Sequence, residues 1–531
     1  MVQPIESAPA EGPPTTAPGT SRGPRRLTRR KILKAGLIGV PAVLGVAAAG
    51  TAAVYFAHGV DTVGKVDFDR PLAIPPLAAA RTEGGRRVVD LAATASTRQF
   101  RPGRPTTTWG FDRGFLGPTV RVNRGDTVQL NVRNGLTDPT TVHWHGLHLP
   151  AVMDGGPHQT IAPGAVWRPS WRIDQPAATL WYHPHPHLTS AHHAYRGLAG
   201  LFLVDDPPQT AAARLPAQYG VDDIPVIVQD KNFDDDNQFD EGYSRLGSVG
   251  ILGDTLLVNG TVGPYLDVVT ERVRLRLLNA STARVYRFGF SDDRSFALVG
   301  TDGGLLSAPH ETDRVQLSPG ERAEIVVALT AGERVVLRSF APELGLDPLN
   351  ERFTGGDDDL DVLQLRAGAQ LRPTPAPAAT LAPAPALVAT ADRVDRRFEL
   401  SGEQINGLSM DMTRIDFGVT RGTTEVWEVV SPFPRPHNFH VHGVQFQLLT
   451  VGGTPPPPEL RGWKDTFYTP PEVPFRIAVR FDEHANRNAP FMFHCHLLLH
   501  EDQNMMGQFV VLEPGETVGS PGHLGHSTAP R

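Results

Sequence analysis

Twenty histidines and one cysteine, Cys495, are the side chains with most chemistry to offer, and their spacing is uneven. Between Gln209 and Leu387 there is a single histidine, His310. Between Val88 and that gap lie His143, His145, His148, His158, His183, His185, His187, His192 and His193, and between it and Pro514 lie His437, His440, His442, His484, His494, His496 and His500. Four motifs hold most of them: HWHG at His143, WYHPHPH around His183, HNFHVHG at His437 and HCHLLLHEDQNMM at His494. Side chains two apart in a strand share a face, and those an odd number apart do not. His143 and His145 therefore point together, as do His183 with His185, His440 with His442, and His494 with His496. The same parity sets His437 and Cys495 opposite their neighbours, where they can meet at a second site. His500 and Met505, in a loop or short helix, can complete it.

A thiolate, two imidazoles and a weak thioether form the ligand set of a blue-copper centre, and eight imidazoles without a thiolate suit a cluster of copper or iron. Because His494 and His496 flank Cys495 in the chain, the two sites are covalently joined, and an electron at the sulfur has a short route to the cluster. Zinc would not need twelve ligands in four motifs. Nucleophilic chemistry at Cys495 has little support, since the residue reads as part of a strand between two imidazoles that point away. His148, His158, His187, His192, His193, His310 and His484 read as surface or satisfied core residues, although His187 shares the parity of His185.

The elements that must position these groups read as short strands. From Val88 onward apolar residues alternate in brief runs between turns, and 53 Gly with 49 Pro favour turns over long helices. One pattern occurs three times, from Leu116, Leu257 and Met410. Each copy has an extended segment, a polar turn (Arg124-Gly125-Asp126, Thr270-Glu271-Arg272, Arg421-Gly422-Thr423) and an alternating strand. The expected class is all-β, with three consecutive Greek-key β-sandwich domains at 85–208, 222–370 and 387–514. A Pro/Ala linker spans 371–386, and the tail 515–531 is expected to be disordered. Lys+Arg 50 against Asp+Glu 57 gives a net charge of −7, with no basic excess to clamp nucleic acid. A lone cysteine makes no intramolecular disulfide.

Taken in this order, the four motifs resemble those of three-domain, cupredoxin-like multicopper oxidases, the group of laccases, copper efflux oxidases and bilirubin oxidases. The resemblance implies four coppers per chain. His437, Cys495, His500 and Met505 would bind the type 1 copper, and His143 with His440 the type 2 copper. His145, His183 and His496 would hold one type 3 copper, and His185, His442 and His494 the other. The middle domain would be copper-free, as the histidine gap suggests. Four electrons and four protons convert dioxygen to two waters, and Asp154 and Glu501 stand where carboxylates would relay protons. The reducing substrate is expected to be a phenol or aromatic amine, with electrons entering at an exposed edge of His437 or His500. A metal ion such as cuprous copper is the alternative, but none of the 7 Met falls between Met153 and Met410, where copper efflux oxidases are Met-rich. A non-catalytic exported relative is a further alternative. Thr28-Arg29-Arg30-Lys31, followed by an apolar stretch from Ala35 to Phe56, resembles a twin-arginine export signal within a leader at 1–57. The translocation machinery would then be a partner, and a monomer would act in the periplasm, in the cell envelope or outside the cell.

Overall fold

The computed structural model describes residues 59–206, 215–243, 249–384, 386–387, 389 and 391–521; the twin-arginine-like segment lies outside the described residues. Each of the three sequence repeats folds as strand, turn, strand, and its two strands enter opposite sheets of a sandwich. Val120–Asn123 joins a four-stranded sheet and Thr127–Asn134 a six-stranded one. Pro264–Thr270 and Arg272–Asn279 divide in the same way in the middle sandwich, as do Phe417–Thr420 and Thr424–Val430 in the last. Two of the turns need a left-handed residue, supplied by Gly125 (φ 95°) and Gly422 (φ 79°). The first strand of each repeat pairs in parallel with a strand late in its unit (Gly200–Asp205, Leu360–Arg372, Met506–Leu512). The second pairs in parallel with an early strand (Arg86–Arg98, Asp223–Phe233, Arg396–Ser401). These crossovers make the all-β, cupredoxin-like architecture.

Each sandwich has its own apolar core. Leu130, Val132 and Trp144 lie in the first, Leu275, Phe288 and Ile325 in the middle one, and Trp427, Phe439 and Phe509 in the last. A fourth cluster, with Phe115, Trp181, Tyr195 and Leu257, joins strands of the first and middle units. The alternation expected of the second repeat strand holds in Thr127–Asn134 but not in Arg272–Asn279, which is buried along both faces after its first residue. Arg274 and Arg276 point into salt bridges there, so polar residues alternate without marking solvent.

Arg70–Pro71 pairs with Pro264–Tyr265, so the chain docks on the middle sandwich before it builds the first. At the other end Gly519 and Ser520, in the tail expected to be disordered, donate to Arg487 O and Asn488 Oδ1 at 3.0 and 3.2 Å. In the Pro/Ala segment, Leu381 is buried against Val299 and Val326 of the middle sandwich. Among the described residues no helix is long and apolar enough to cross a membrane.

Candidate metal centres

The donor groups stand where strands of the first and last sandwiches end. Strands finish at His145, His183, Val441 and His494, so His185, His442, Cys495 and His496 lie just beyond them. Cys495 thus sits in the bend after the strand rather than within it. Antiparallel pairing places His145 opposite Trp181, His143 opposite His183, and His440 opposite His494. The helix Leu498–Asp502 carries His500 and Glu501, and Asp502 pins it by accepting from the amides of Ser190 and Ala191 at 2.7 and 3.0 Å.

At the first centre, Cys495 Sγ lies 3.7 Å from His437 Nδ1 and 3.5 Å from His500 Nδ1. Met505 is fully buried in the apolar cluster that holds Cys495, whereas Met506 packs with Met410 and Met492 in another. Asn438 braces the bend: its Oδ1 accepts from His496 N at 2.6 Å, and its Nδ2 donates to Pro319 O at 2.9 Å. Burial pushes the Cys495 thiol up to about 12, so only a bound cation would make it a thiolate at neutral pH.

The eight other imidazoles form a second centre in overlapping groups: His143, His145 and His440; His145, His183 and His496; His185, His442 and His494. In the last group His494 Nε2 lies 3.2 Å from His185 Nε2 and 3.1 Å from His442 Nε2. Seven of the opposite nitrogens face an oxygen. His143 Nδ1 lies 3.0 Å from Asp154 O and His442 Nδ1 2.7 Å from Asp154 Oδ2. His183 Nδ1 lies 3.0 Å from Pro184 O, and the two Glu501 oxygens lie 3.3 Å from His185 Nδ1 and His494 Nδ1. A third carboxylate, Asp465, serves two more: its Oδ1 is 3.0 Å from His145 Nε2 and its backbone O 2.8 Å from His440 Nδ1, while His496 Nδ1 is buried without a hydrogen-bond partner. His143 Nε2 and His440 Nε2 are left buried without a hydrogen-bond partner, each with a lone pair a cation would satisfy.

Burial, reinforced by neighbouring imidazoles, holds His145, His183, His185, His440, His442 and His496 well below the usual histidine range, and burial brings His494 to about 3. All stay neutral at physiological pH, the form that ligates metals. Burial also pushes the Glu501 carboxyl well above the ordinary carboxylate range. His187, His192 and His193 stay outside these groups, against Asn504, Glu241 and Thr140.

Every histidine and the cysteine expected at a site is therefore in one of the two centres, with Asp154 and Glu501 against their imidazoles and Met505 buried in the apolar cluster of Cys495. His437 and His500 are 1% and 0% exposed, so any edge open to a reductant is narrow. His437 pairs with Thr469, and beside it Tyr468 donates to Leu344 O at 2.9 Å. Asp465 and Asn438 escaped sequence reading; Asp465 lies in a GWKDT run with no histidine near enough to give a spacing signal.

Multicopper oxidase family models match residues 92–209, 234–335 and 380–515. The chain belongs to the multicopper oxidase family. Membership implies copper binding, which agrees with the neutral imidazoles and the thiol described above. The chain is 38% identical to the cell division protein FtsP of Sodalis glossinidius, over 83% of this chain and 92% of that one. It is 34% identical to the multicopper oxidase mco of Staphylococcus haemolyticus, with the same coverage. A solved laccase-like multicopper oxidase, CueO from Ochrobactrum sp., described as active towards lignin model compounds, superposes with a TM-score of 0.74. It is 36% identical, over 83% of this chain and all of that one.

Proposed function

We propose that this protein is a laccase-like oxidase that takes single electrons from a phenol or aromatic amine and uses four of them to reduce dioxygen to two waters. The observation that carries this reading is the completeness of the donor set: ten buried imidazoles and Cys495 gather in two centres, with Met505 buried in the apolar cluster that holds Cys495. His437, Cys495, His500 and Met505 would hold a type 1 copper. His143 and His440 would hold a type 2 copper, and His145, His183, His496 and His185, His442, His494 one type 3 copper each. Copper bound there would accept electrons singly and deliver four to dioxygen.

The chain's own groups do the remaining work. Covalent bonds from Cys495 to His494 and His496 tie the two centres together. Glu501, kept protonated by burial, holds a proton on its carboxyl oxygens within 3.3 Å of His185 and His494. Asp154 Oδ2 orients His442 and its backbone carbonyl orients His143, so one residue steadies rings of two copper sites. The activity described for the Ochrobactrum oxidase supports a phenolic substrate, and the lack of methionine between Met153 and Met410 weighs against cuprous ion.

The similarity to FtsP favours a second reading, a non-catalytic role in cell division. Copper content separates the two, at about four per chain for the oxidase and none for the alternative. Oxygen uptake by copper-loaded protein with a phenol, an aromatic amine and cuprous ion side by side then identifies the reductant. Copper-loaded protein is expected to be blue, and Cys495→Ser folded but colourless. A protein that takes up no copper, or that keeps its colour without Cys495, refutes the oxidase reading.

A further inference from the structure

The middle sandwich contributes no imidazole to either centre, yet a side chain from it reaches to within one residue of the cluster. Arg322, fully buried on the strand Arg322–Ala328, uses all five of its N–H donors. Nε donates to Thr179 O in the first sandwich at 3.0 Å. Nη1 donates to Gly320 O and to Asp465 Oδ1, both at 2.8 Å, and Nη2 to Asp302 O at 3.0 Å and Asp465 Oδ2 at 2.5 Å. One guanidinium thereby touches all three sandwiches. Around it, Asp302 Oδ2 accepts from Lys464 Nζ at 2.9 Å and from the amides of Asp465 and Thr466 at 3.2 and 3.3 Å, while Lys464 also reaches Glu321 at 2.7 Å.

This cage fixes a residue that fixes two imidazoles in opposite senses. Asp465 Oδ1 accepts from Nε2 of His145 and leaves Nδ1 of that ring facing His183 Nε2, at 3.4 Å. Its backbone carbonyl accepts from Nδ1 of His440 and leaves Nε2 free. The two rings lie stacked, with centroids 3.9 Å apart and planes at 11°. Either ring in the other tautomer would turn an N–H toward the space between the donor groups and remove one ligand. Asp154 and Glu501 hold other imidazoles, but neither carries an arginine clamp.

Resting on the oxidase reading, we infer that Asp465 and Arg322 form a positioning pair: the middle sandwich, through Arg322, holds the Asp465 carboxylate aimed, and so sets the tautomers of His145 and His440 for copper. An internal control exists in the same structure. Arg276 also bridges the first and middle sandwiches, donating to Thr179 Oγ1 at 2.7 Å, to Glu324 Oε1 at 2.9 Å and to both oxygens of Asp223 at 2.6 and 3.1 Å, and it touches no imidazole. If these networks only glue sandwiches together, the two arginines should behave alike.

The test compares full-length wild type with Asp465→Asn, Arg322→Lys and Arg276→Lys. Copper retained against a graded chelator, the type 2 signal in electron paramagnetic resonance, blue absorbance and melting temperature are measured for each. Asp465→Asn and Arg322→Lys are expected to release cluster copper about 10- to 100-fold more readily and to alter the type 2 signal, while the blue band of the Cys495 site persists. Arg322→Lys keeps the charge and loses the fork, so it carries the test if the asparagine variant does not fold. Arg276→Lys is expected to melt lower but hold copper as wild type does. Unchanged copper retention and type 2 signal in both Asp465→Asn and Arg322→Lys, or equal loosening in Arg276→Lys, overturns the inference and leaves the oxidase reading intact. A wild type that binds no copper overturns both.

Discussion

Met505 and Met506 are adjacent in the chain but belong to different surroundings, Met505 beside Cys495 and Met506 in the thioether cluster with Met410 and Met492. A weak axial thioether donates electron density to a type 1 copper and favours its oxidised state. Met505→Leu conserves volume and should cost under about 1.5 kcal/mol in packing. That variant is expected to stay blue with a raised reduction potential, and Met506→Leu to keep the wild-type potential. Redox titration of the two together decides it, and a shift in the second alone removes Met505 from the site. The carboxylates call for a kinetic measurement. Asp154→Asn and Glu501→Gln are expected to slow dioxygen reduction about 100-fold or more while substrate still bleaches the blue band at the wild-type rate. If both half-reactions slow together, the substitution has damaged the site and the proton role is unsupported.

At the scale of elements, what matters is how strand ends and turns deliver these groups. Gly155 follows Asp154 with φ 80°, and a Cβ placed there would stand 1.7 Å from Val142 O, next to His143. Gly155→Ala must therefore strain the turn or push the HWHG strand away, and it is expected to cost at least about 2 kcal/mol. Urea denaturation of the apoprotein measures this, and a loss below about 0.5 kcal/mol would show that the turn relaxes freely. Strand parity pairs the imidazoles of each motif, and all eight gather in one centre although His185, His442 and His496 lie past their strand ends. It could not say which imidazole joins which group: His183 and His185 share a face but enter different triads. That choice depends on how a strand of the first sandwich meets one from the last.

For the whole molecule, the seam between the first and middle sandwiches carries a buried cation. Lys231 is 1% exposed, with its ammonium 4.0 Å from the Tyr195 ring centroid, and desolvation brings it down to about 7. The unfolded chain keeps the ordinary lysine value near 10.4. Between those values the unfolded state binds the extra proton, so this group makes stability rise with pH there, and its penalty is fully present below about pH 7. Lys231→Met is expected to melt higher than wild type at about pH 6, with the gap closing toward about pH 10. A gap that does not change with pH would mean that the lysine is not desolvated.

The sequence by itself determined the donor types, their pairing by parity and the threefold sandwich pattern, because all of these live in local spacing that strand geometry converts directly into direction. Only the tertiary structure decided what lies between residues far apart in the chain. Asp465 meets His145 across 320 positions and Arg322 across 143. The opening strand Arg70–Pro71 lies on the middle sandwich, and His437 and His500 are both buried. Such contacts follow from how sandwiches pack, and no periodicity within a strand encodes them.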